Sequence, residues 1–222
     1  MVFSGKKGRG PSDPATARIL SGAEAYWQAL RPGTDIPMRS QVDPRGLEQA
    51  LPFTFLLQYE DRQARFRLAG QRVADLLGAE LEGAPFHLLF APSCHATINV
   101  AMAGVFDTPA ILRASMEAVA TQGRPALSGQ MILLPLRHSD GSISRALGVL
   151  VPSGQPGRRP RHFDSITPMP VPVGAPPAPA DTPADYGMAE APAPFLPRAN
   201  QKKGRPAKTE RPRFRIIDGS KP

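Results

Sequence analysis

The chain opens with the pattern of a helix that has one apolar stripe. Ser12-Asp13-Pro14 has the composition of a helix start, because a short polar side chain can cap the first turn and proline fits its first position. Apolar residues then recur at helical spacing as far as Leu30, and Pro32-Gly33 ends the run. The stripe contains Trp27, so we expect this helix, about residues 14–31, to dock on another element.

Apolar and polar positions then alternate with a period of two. Residues 53–59 follow this alternation, and residues 64–68 repeat it after a polar turn at residues 60–63. The pattern is typical of strands with one buried face, and two such runs around a short polar turn predict a hairpin.

Short helices and three further strands are predicted next. A helix over residues 71–77 should end at Gly78, and residues 86–106 should be helical in two pieces that separate at Pro92-Ser93. The strands cover about residues 110–120, 127–137 and 143–151, although residues 116–120 also fit a helix. A hairpin, short helices and a three-strand meander together indicate an α+β domain. We expect a five-stranded antiparallel sheet with short helices on one face and an N-terminal helix.

Proline and charge are distributed unevenly, which sets the expected domain limits. Residues 152–222 hold 16 of the 27 prolines, and the formal net charge of +8 belongs to the two ends because the middle is almost neutral. Proline breaks helices and removes donors from a sheet. We therefore expect a disordered basic N-terminus at 1–11, a folded domain at 12–152 and a disordered Pro/Ala-rich and basic tail at 153–222.

Cysteine content and apolar runs limit the cellular setting. The single cysteine, Cys94, excludes a disulfide framework and a zinc site built from several cysteines. The first ten residues lack the apolar stretch of a secretory signal, and the apolar runs are too short to span a bilayer. We expect a cytoplasmic protein that does not contact a membrane.

Several short strings resemble a divergent PAS subfamily that is common in alphaproteobacterial proteins. They are Trp27-Gln28-Ala29-Leu30-Arg31, Pro37-Met38-Arg39, Asp43-Pro44, Phe66-Arg67-Leu68-Ala69-Gly70, Gly78-Ala79-Glu80-Leu81-Glu82-Gly83 and Leu133-Leu134-Pro135-Leu136. The resemblance covers about residues 19–152 and implies a PAS-like sheet cupping a pocket. PAS domains sense small molecules, light or redox state, or mediate protein contacts, often as dimers. The resemblance thus implies a non-catalytic sensory or protein-interaction module in bacterial regulation, with a protein partner or a homodimer.

Six apolar residues of the predicted strands are candidates for lining a small-molecule pocket. They are Phe55, Leu57, Phe66, Leu68, Ile132 and Leu134. An apolar concave site and an ordinary core look alike in a sequence, and core is the more frequent of the two. The pocket is therefore the alternative to a simple core.

Cofactor and catalytic signals are weak. Some PAS domains hold haem through a histidine on a nearby helix, which makes His95 the haem candidate, but one histidine without a second signal favours an ordinary helix-start residue. The Asn-Cys-Arg-Phe type string of flavin photoreceptors is absent around Cys94. Neither a nucleophile elbow nor a phosphate-binding Gly-Lys loop occurs. We expect no cofactor, no metal site and no catalytic residue.

The basic end of the chain resembles an AT-hook, a short motif that binds the minor groove of A·T-rich DNA. Its candidate DNA-binding residues are Lys202, Lys203, Gly204, Arg205, Pro206 and Lys208. Glycine and proline keep such a segment narrow, and its cations are attracted to the narrow groove. Lys203 stands where the motif has arginine, and lysine does not match arginine there. A solubilising tail is favoured, and a DNA-associated regulatory protein is the alternative function.

If the tail binds DNA, a chain truncated after residue 197 should bind more weakly than the full-length chain. One hook on a segment that must become ordered should give only micromolar affinity at low salt, in the range of non-specific binding. Fluorescence anisotropy on A·T-rich and G·C-rich duplexes across a salt series measures this. Equal binding by both chains would remove the tail as the site, and equal binding to both duplexes would remove the AT-hook.

Overall fold

The computed structural model describes residues 13–173, which form an antiparallel sheet with helices on both faces. The sheet consists of β1 Thr54–Glu60, β2 Gln63–Ala69, β3 Ala110–Ala118, β4 Leu127–Leu136, β5 Arg145–Ser153 and β6 Ser165–Pro172. The order of strands across it is β2-β1-β5-β4-β3-β6. The predicted α+β class and the first five strands are confirmed, and β6 is an additional strand.

Three α-helices and several short 3-10 helices surround the sheet. The α-helices are α1 Pro14–Leu30, α2 Gln71–Leu77 and α3 His95–Phe106. The 3-10 helices are Arg39–Gln41, Pro44–Leu47, Leu51–Phe53, Phe86–Leu89 and Pro92–Cys94. Gly78 ends α2 with a φ of 70°, a left-handed conformation that glycine adopts without strain. None of the described helices combines the length and the apolar character needed to cross a bilayer.

The N-terminal helix covers one face of the sheet, which we call the α1 face. Trp27 is fully buried there, and its indole Nε1 donates a hydrogen bond of 2.8 Å to the carbonyl oxygen of Pro135 in β4. The guanidinium of Arg113 on β3 donates to both carboxylate oxygens of Glu24, at 2.6 and 2.7 Å. The apolar stripe therefore docks as expected, and these polar contacts orient the helix across β3 and β4.

The sheet continues beyond residue 152, the predicted end of the domain. β6 pairs with β3 from Ser165, opposite Glu117, to Pro172, opposite Ala110. Pro168, Pro170 and Pro172 occupy alternate positions of this edge strand. Alternate residues direct their amide positions to the same side, so all three missing N–H groups face away from β3. Proline thus removes no hydrogen bond from the sheet. The tail beyond residue 173 and the N-terminus before residue 13 lie outside the described residues.

The connection between β5 and β6 is held by a buried arginine. Arg161 is 4% exposed, and its Nη2 donates to the carbonyl oxygens of Ala118, Val119 and Pro125 at 2.8–3.0 Å. Two residues later, the amide of Phe163 donates to the carbonyl oxygen of Leu89 at 2.9 Å. This segment was expected to belong to the disordered tail, but it joins the ends of β3 and β4 to the helices.

Removing β6 and the segment before it should unfold or strongly destabilise the domain. A chain ending after Gly154 loses the partner strand of β3, the buried Arg161 and the core ring of Phe163. Loss of the ring alone should cost about 3 kcal/mol or more. Urea unfolding followed by circular dichroism, with a chain ending after Val173 as the control, measures the difference. Equal unfolding midpoints for the two chains would contradict the structural role of β6.

Candidate functional site

Five phenylalanine rings occupy the space between the sheet and the helices on the face opposite α1. We call Phe55, Phe66, Phe86, Phe90 and Phe163 the aromatic cluster, and each is at most 2% exposed. Their ring centroids lie 5.5–6.4 Å apart along a continuous series of contacts. The geometries are mostly edge-to-face, which aromatic pairs prefer.

Glycines in the central strands allow these rings to lie directly on the sheet. A Cβ atom at Gly148 of β5 would lie 2.2 Å from ring carbons of Phe55. A Cβ atom at Gly129 of β4 would lie 2.9 Å from the ring of Phe163. The rings thus occupy volume that side chains of β4 and β5 would otherwise take. The helix-side interior is packed with the protein's own aromatic groups.

The six pocket candidates do not line one cavity. Phe55, Leu57 and Phe66 belong to the helix-side core, whereas Ile132 and Leu134 lie on the α1 face. Leu68 lies opposite Leu56, a residue of the α1 face, and is 47% exposed. The six residues thus divide between the two faces of the sheet, and a ligand pocket lined by some of them stays a prediction.

Two physical causes explain why the sequence pattern did not separate the two faces. Every residue from Met131 to Leu136 is buried, so β4 gives no sequence signal for which side chains face the helices. A register shift between Leu56 and Leu57 also changes the phase of β2, which brings Leu68 to the α1 face. No periodic signal indicated Phe86, Phe90 and Phe163, because they lie in short helices and connections rather than in alternating strands.

The Cys94-His95 pair takes part in local hydrogen bonding at the start of α3. The Nε2 of His95 lies 3.2 Å from the carbonyl oxygen of Phe90, and Cys94 Sγ donates to the carbonyl oxygen of Asp164 at 3.2 Å. The rings of His87 and His95 lie 4.7 Å apart. Burial, followed by His95 and Arg65, lowers the pKa of His87. These histidines connect the helices around the aromatic cluster, and a haem role for His95 stays a hypothesis.

Metal chemistry has no obvious site in this part of the chain. Among residues 13–173, no group of three or more His, Cys, Asp or Glu side chains is placed to hold a metal ion. The nucleic-acid candidates Lys202, Lys203, Gly204, Arg205, Pro206 and Lys208 lie outside the described residues.

A second distinctive region lies on the α1 face beside β1 and β2. Gln58 of β1 is 5% exposed, and its Oε1 accepts a hydrogen bond from the Nε of Arg67 in β2. Arg145 of β5 lies opposite Gln58 in the sheet. Burial is the main cause that lowers the pKa of Arg145, and the positive charges of Arg67 and Arg39 contribute. We call Arg39, Arg67 and Arg145 the arginine patch.

A family model and several solved structures match this chain. The model, described as a PAS domain, matches residues 16–151. A light-oxygen-voltage domain from work with a flavin analogue is 16% identical, covering 50% of this chain and 84% of its own at a TM-score of 0.39. The PAS domain of a Colwellia psychrerythraea protein is 13% identical to this chain. The match covers 48% of this chain and 93% of that domain, with a TM-score of 0.36. An RNA-binding light-oxygen-voltage receptor is 18% identical to this chain. The match covers 55% of this chain and 37% of the receptor, with a TM-score of 0.37. No curated protein matches.

Replacing Phe86 by alanine should open a cavity in the aromatic cluster. Phe86 contacts three other rings of the cluster, so Phe86→Ala should destabilise the domain by about 3 kcal/mol or more. Leu88→Ala is the matched control in the same short helix, since Leu88 is 39% exposed. A dry apolar cavity should also bind a small aromatic compound such as indole, which would restore part of the lost thermal stability. Equal, small effects at both positions would contradict the packing described.

Proposed function

Because the chain belongs to the PAS domain family over residues 16–151, we propose that it is a protein-interaction module of bacterial regulation. The family supports a sensory or interaction role in general. Within that role, we propose that the module catalyses no reaction and acts through contacts of its surface with a partner protein or a second copy. A cytoplasmic location is part of the same proposal.

The aromatic cluster is the observation that carries this proposal. Its five rings are packed against one another and against the glycines of β4 and β5, in the space where a small molecule bound between sheet and helices would lie. Inserting a ligand there would require several buried rings to move, and tightly packed interiors resist such rearrangement. The interior therefore favours stability over ligand binding, which leaves the surface as the site of recognition.

The alternative function is a DNA-associated regulatory protein that binds through its C-terminal segment. The four cations Lys202, Lys203, Arg205 and Lys208 around Gly204 and Pro206 favour it. In that case the PAS domain would bring two such segments together, and the effective concentration of the second would raise the affinity. The truncation after residue 197 separates this function from the first.

The proposed function predicts that the full-length protein purified from bacterial cells carries no small molecule. Native mass spectrometry should give the mass of the polypeptide or of its oligomer, and the absorption spectrum should lack a flavin or haem band. The Phe86→Ala variant is the positive control for an accessible interior, since added indole should appear as a mass increment. A stoichiometric ligand or a visible chromophore on the unmodified protein would overturn the proposal.

A further inference from the structure

Among residues 13–173, the α1 helix covers only part of its face of the sheet, and the part over β1 and β2 is covered by other side chains. The helix packs on β4 and β5 and is tied to β3 through Glu24 and Arg113. Toward β1 and β2, the same face carries the arginine patch around the buried amide of Gln58. Arg39 reaches this region because its amide donates to the carbonyl oxygen of Arg137 at 2.8 Å, just beyond the end of β4.

The positive charges of the patch have no directly paired carboxylate among the described residues. Within residues 13–173, none of its three guanidinium groups belongs to an ion pair, whereas Arg62, Arg113, Arg137 and Arg159 do. The carboxylates of Glu60 and Asp140 lie too far from Arg145 for an ion pair. They raise the pKa of Arg145, whereas the charges of Arg67 and Arg39 lower it. The cations therefore repel one another across β2, β1 and β5.

Within the part of the chain that the structure describes, one donor of the patch lacks an acceptor. The Nη1 of Arg145 is buried and has no hydrogen-bond partner among the described residues. A buried donor without a partner is unfavourable, and few occur in native proteins. The residue as a whole is partly exposed, so a rotation of the guanidinium toward the surface would bring this donor to an incoming oxygen atom.

An exposed apolar side chain lies directly beside these cations. Leu68 follows Arg67 in β2, lies on the α1 face opposite Leu56 and is 47% exposed. Leu51, 40% exposed, belongs to the segment that lies against Gly70 at the end of β2. Arginine and large apolar side chains together are typical of protein interfaces, where the arginine forms bidentate contacts with carboxylates.

We propose that the arginine patch and Leu68 form a docking surface for an acidic segment of a partner protein. Carboxylates of this segment pair with Arg39, Arg67 and Arg145, and an apolar residue of it packs on Leu68. The inference rests on the proposed function as an interaction module and adds to it the face that is used and the chemistry of the partner.

Charge complementarity selects this occupant over the others. In an isologous dimer both copies use the same surface. A second copy docked through this patch would therefore place its arginines against those of the first. The two ends of this chain are themselves basic. Nucleic acid would satisfy the arginines, but its phosphate backbone would leave Leu68 without an apolar partner. Arginine also suits carboxylate pairs better than lysine does, and no lysine occurs between positions 13 and 173.

The test uses full-length protein and a fluorescein-labelled peptide of repeated Glu-Glu-Leu units. Reversing two charges of the patch, with Arg39→Glu and Arg67→Glu together, should weaken binding about tenfold or more, because close charge pairs dominate such contacts. Arg18→Glu with Arg45→Glu is the matched control, since it reverses two exposed charges away from the patch. Leu68→Ser should also weaken binding, and a Gln-Gln-Leu peptide should not bind.

Amide shifts in ¹⁵N spectra of the full-length chain locate the peptide. We expect them in β1, β2 and β5. Shifts confined to residues after 197, or equal weakening by both charge-reversed pairs, would overturn the docking surface. Tighter binding of duplex DNA than of the acidic peptide at the same patch would also overturn it. A thermal melt checks that the Glu variants are folded. If they are not, the double variant Arg39→Gln with Arg67→Gln replaces them in the binding test, and the same outcomes support or overturn the docking surface.

These outcomes are separate from those of the proposed function. Failure of the patch to bind the peptide, in a protein whose mass is that of the polypeptide alone, would overturn the docking surface and leave the proposed function standing. A bound chromophore or ligand would overturn the proposed function whatever the peptide does.

Discussion

The structure depends on burying both faces of one antiparallel sheet. Every residue from Met131 to Leu136 in β4 is buried, so neither face of the central strands can be left to solvent. One cover is α1, anchored by the fully buried Trp27, and the other is the aromatic cluster beneath the short helices. Gly129 and Gly148 make this second cover possible, because larger residues at these positions would displace the aromatic rings.

The same constraint separates the stable interior from the surface available for recognition. On the helix side, ring packing continues from Phe55 to Phe163 and occupies the interior. On the other side, α1 is too narrow to cover all six strands, and the region toward β1 and β2 carries the arginine patch beside Leu68. This division is the basis of the proposal that the domain recognises a partner by its surface.

Both sheet edges are protected in ways that leave this region accessible. The outer side of β2 bonds to the segment around Gly83 and Ala84 through both the amide and the carbonyl of Phe66, at 2.8–2.9 Å. The outer side of β6 lacks three donors because Pro168, Pro170 and Pro172 occupy alternate positions. Edge-to-edge pairing with another chain is thus discouraged at both ends of the sheet, and a face remains as the surface for contact.

Local periodicity determined much of this fold from the sequence alone. The stripe of α1, the alternation in β1 and β2 and the glycine after α2 each depend on neighbouring residues, so their predictions needed no tertiary information. Proline content led residues 153–222 to be assigned to a disordered tail, so β6 was not predicted. A count of prolines does not show on which side of a strand each missing N–H lies. Only the pairing with β3 shows that all of them face outward.

The same limit applies to the candidate sites. Which face Ile132, Leu134 and Leu68 occupy depends on strand register and on the shift at Leu56, and the arginine patch joins residues from β2, β5 and the segment after α1. Contacts between residues so distant in the chain leave no periodic signal, so only the tertiary structure could decide them.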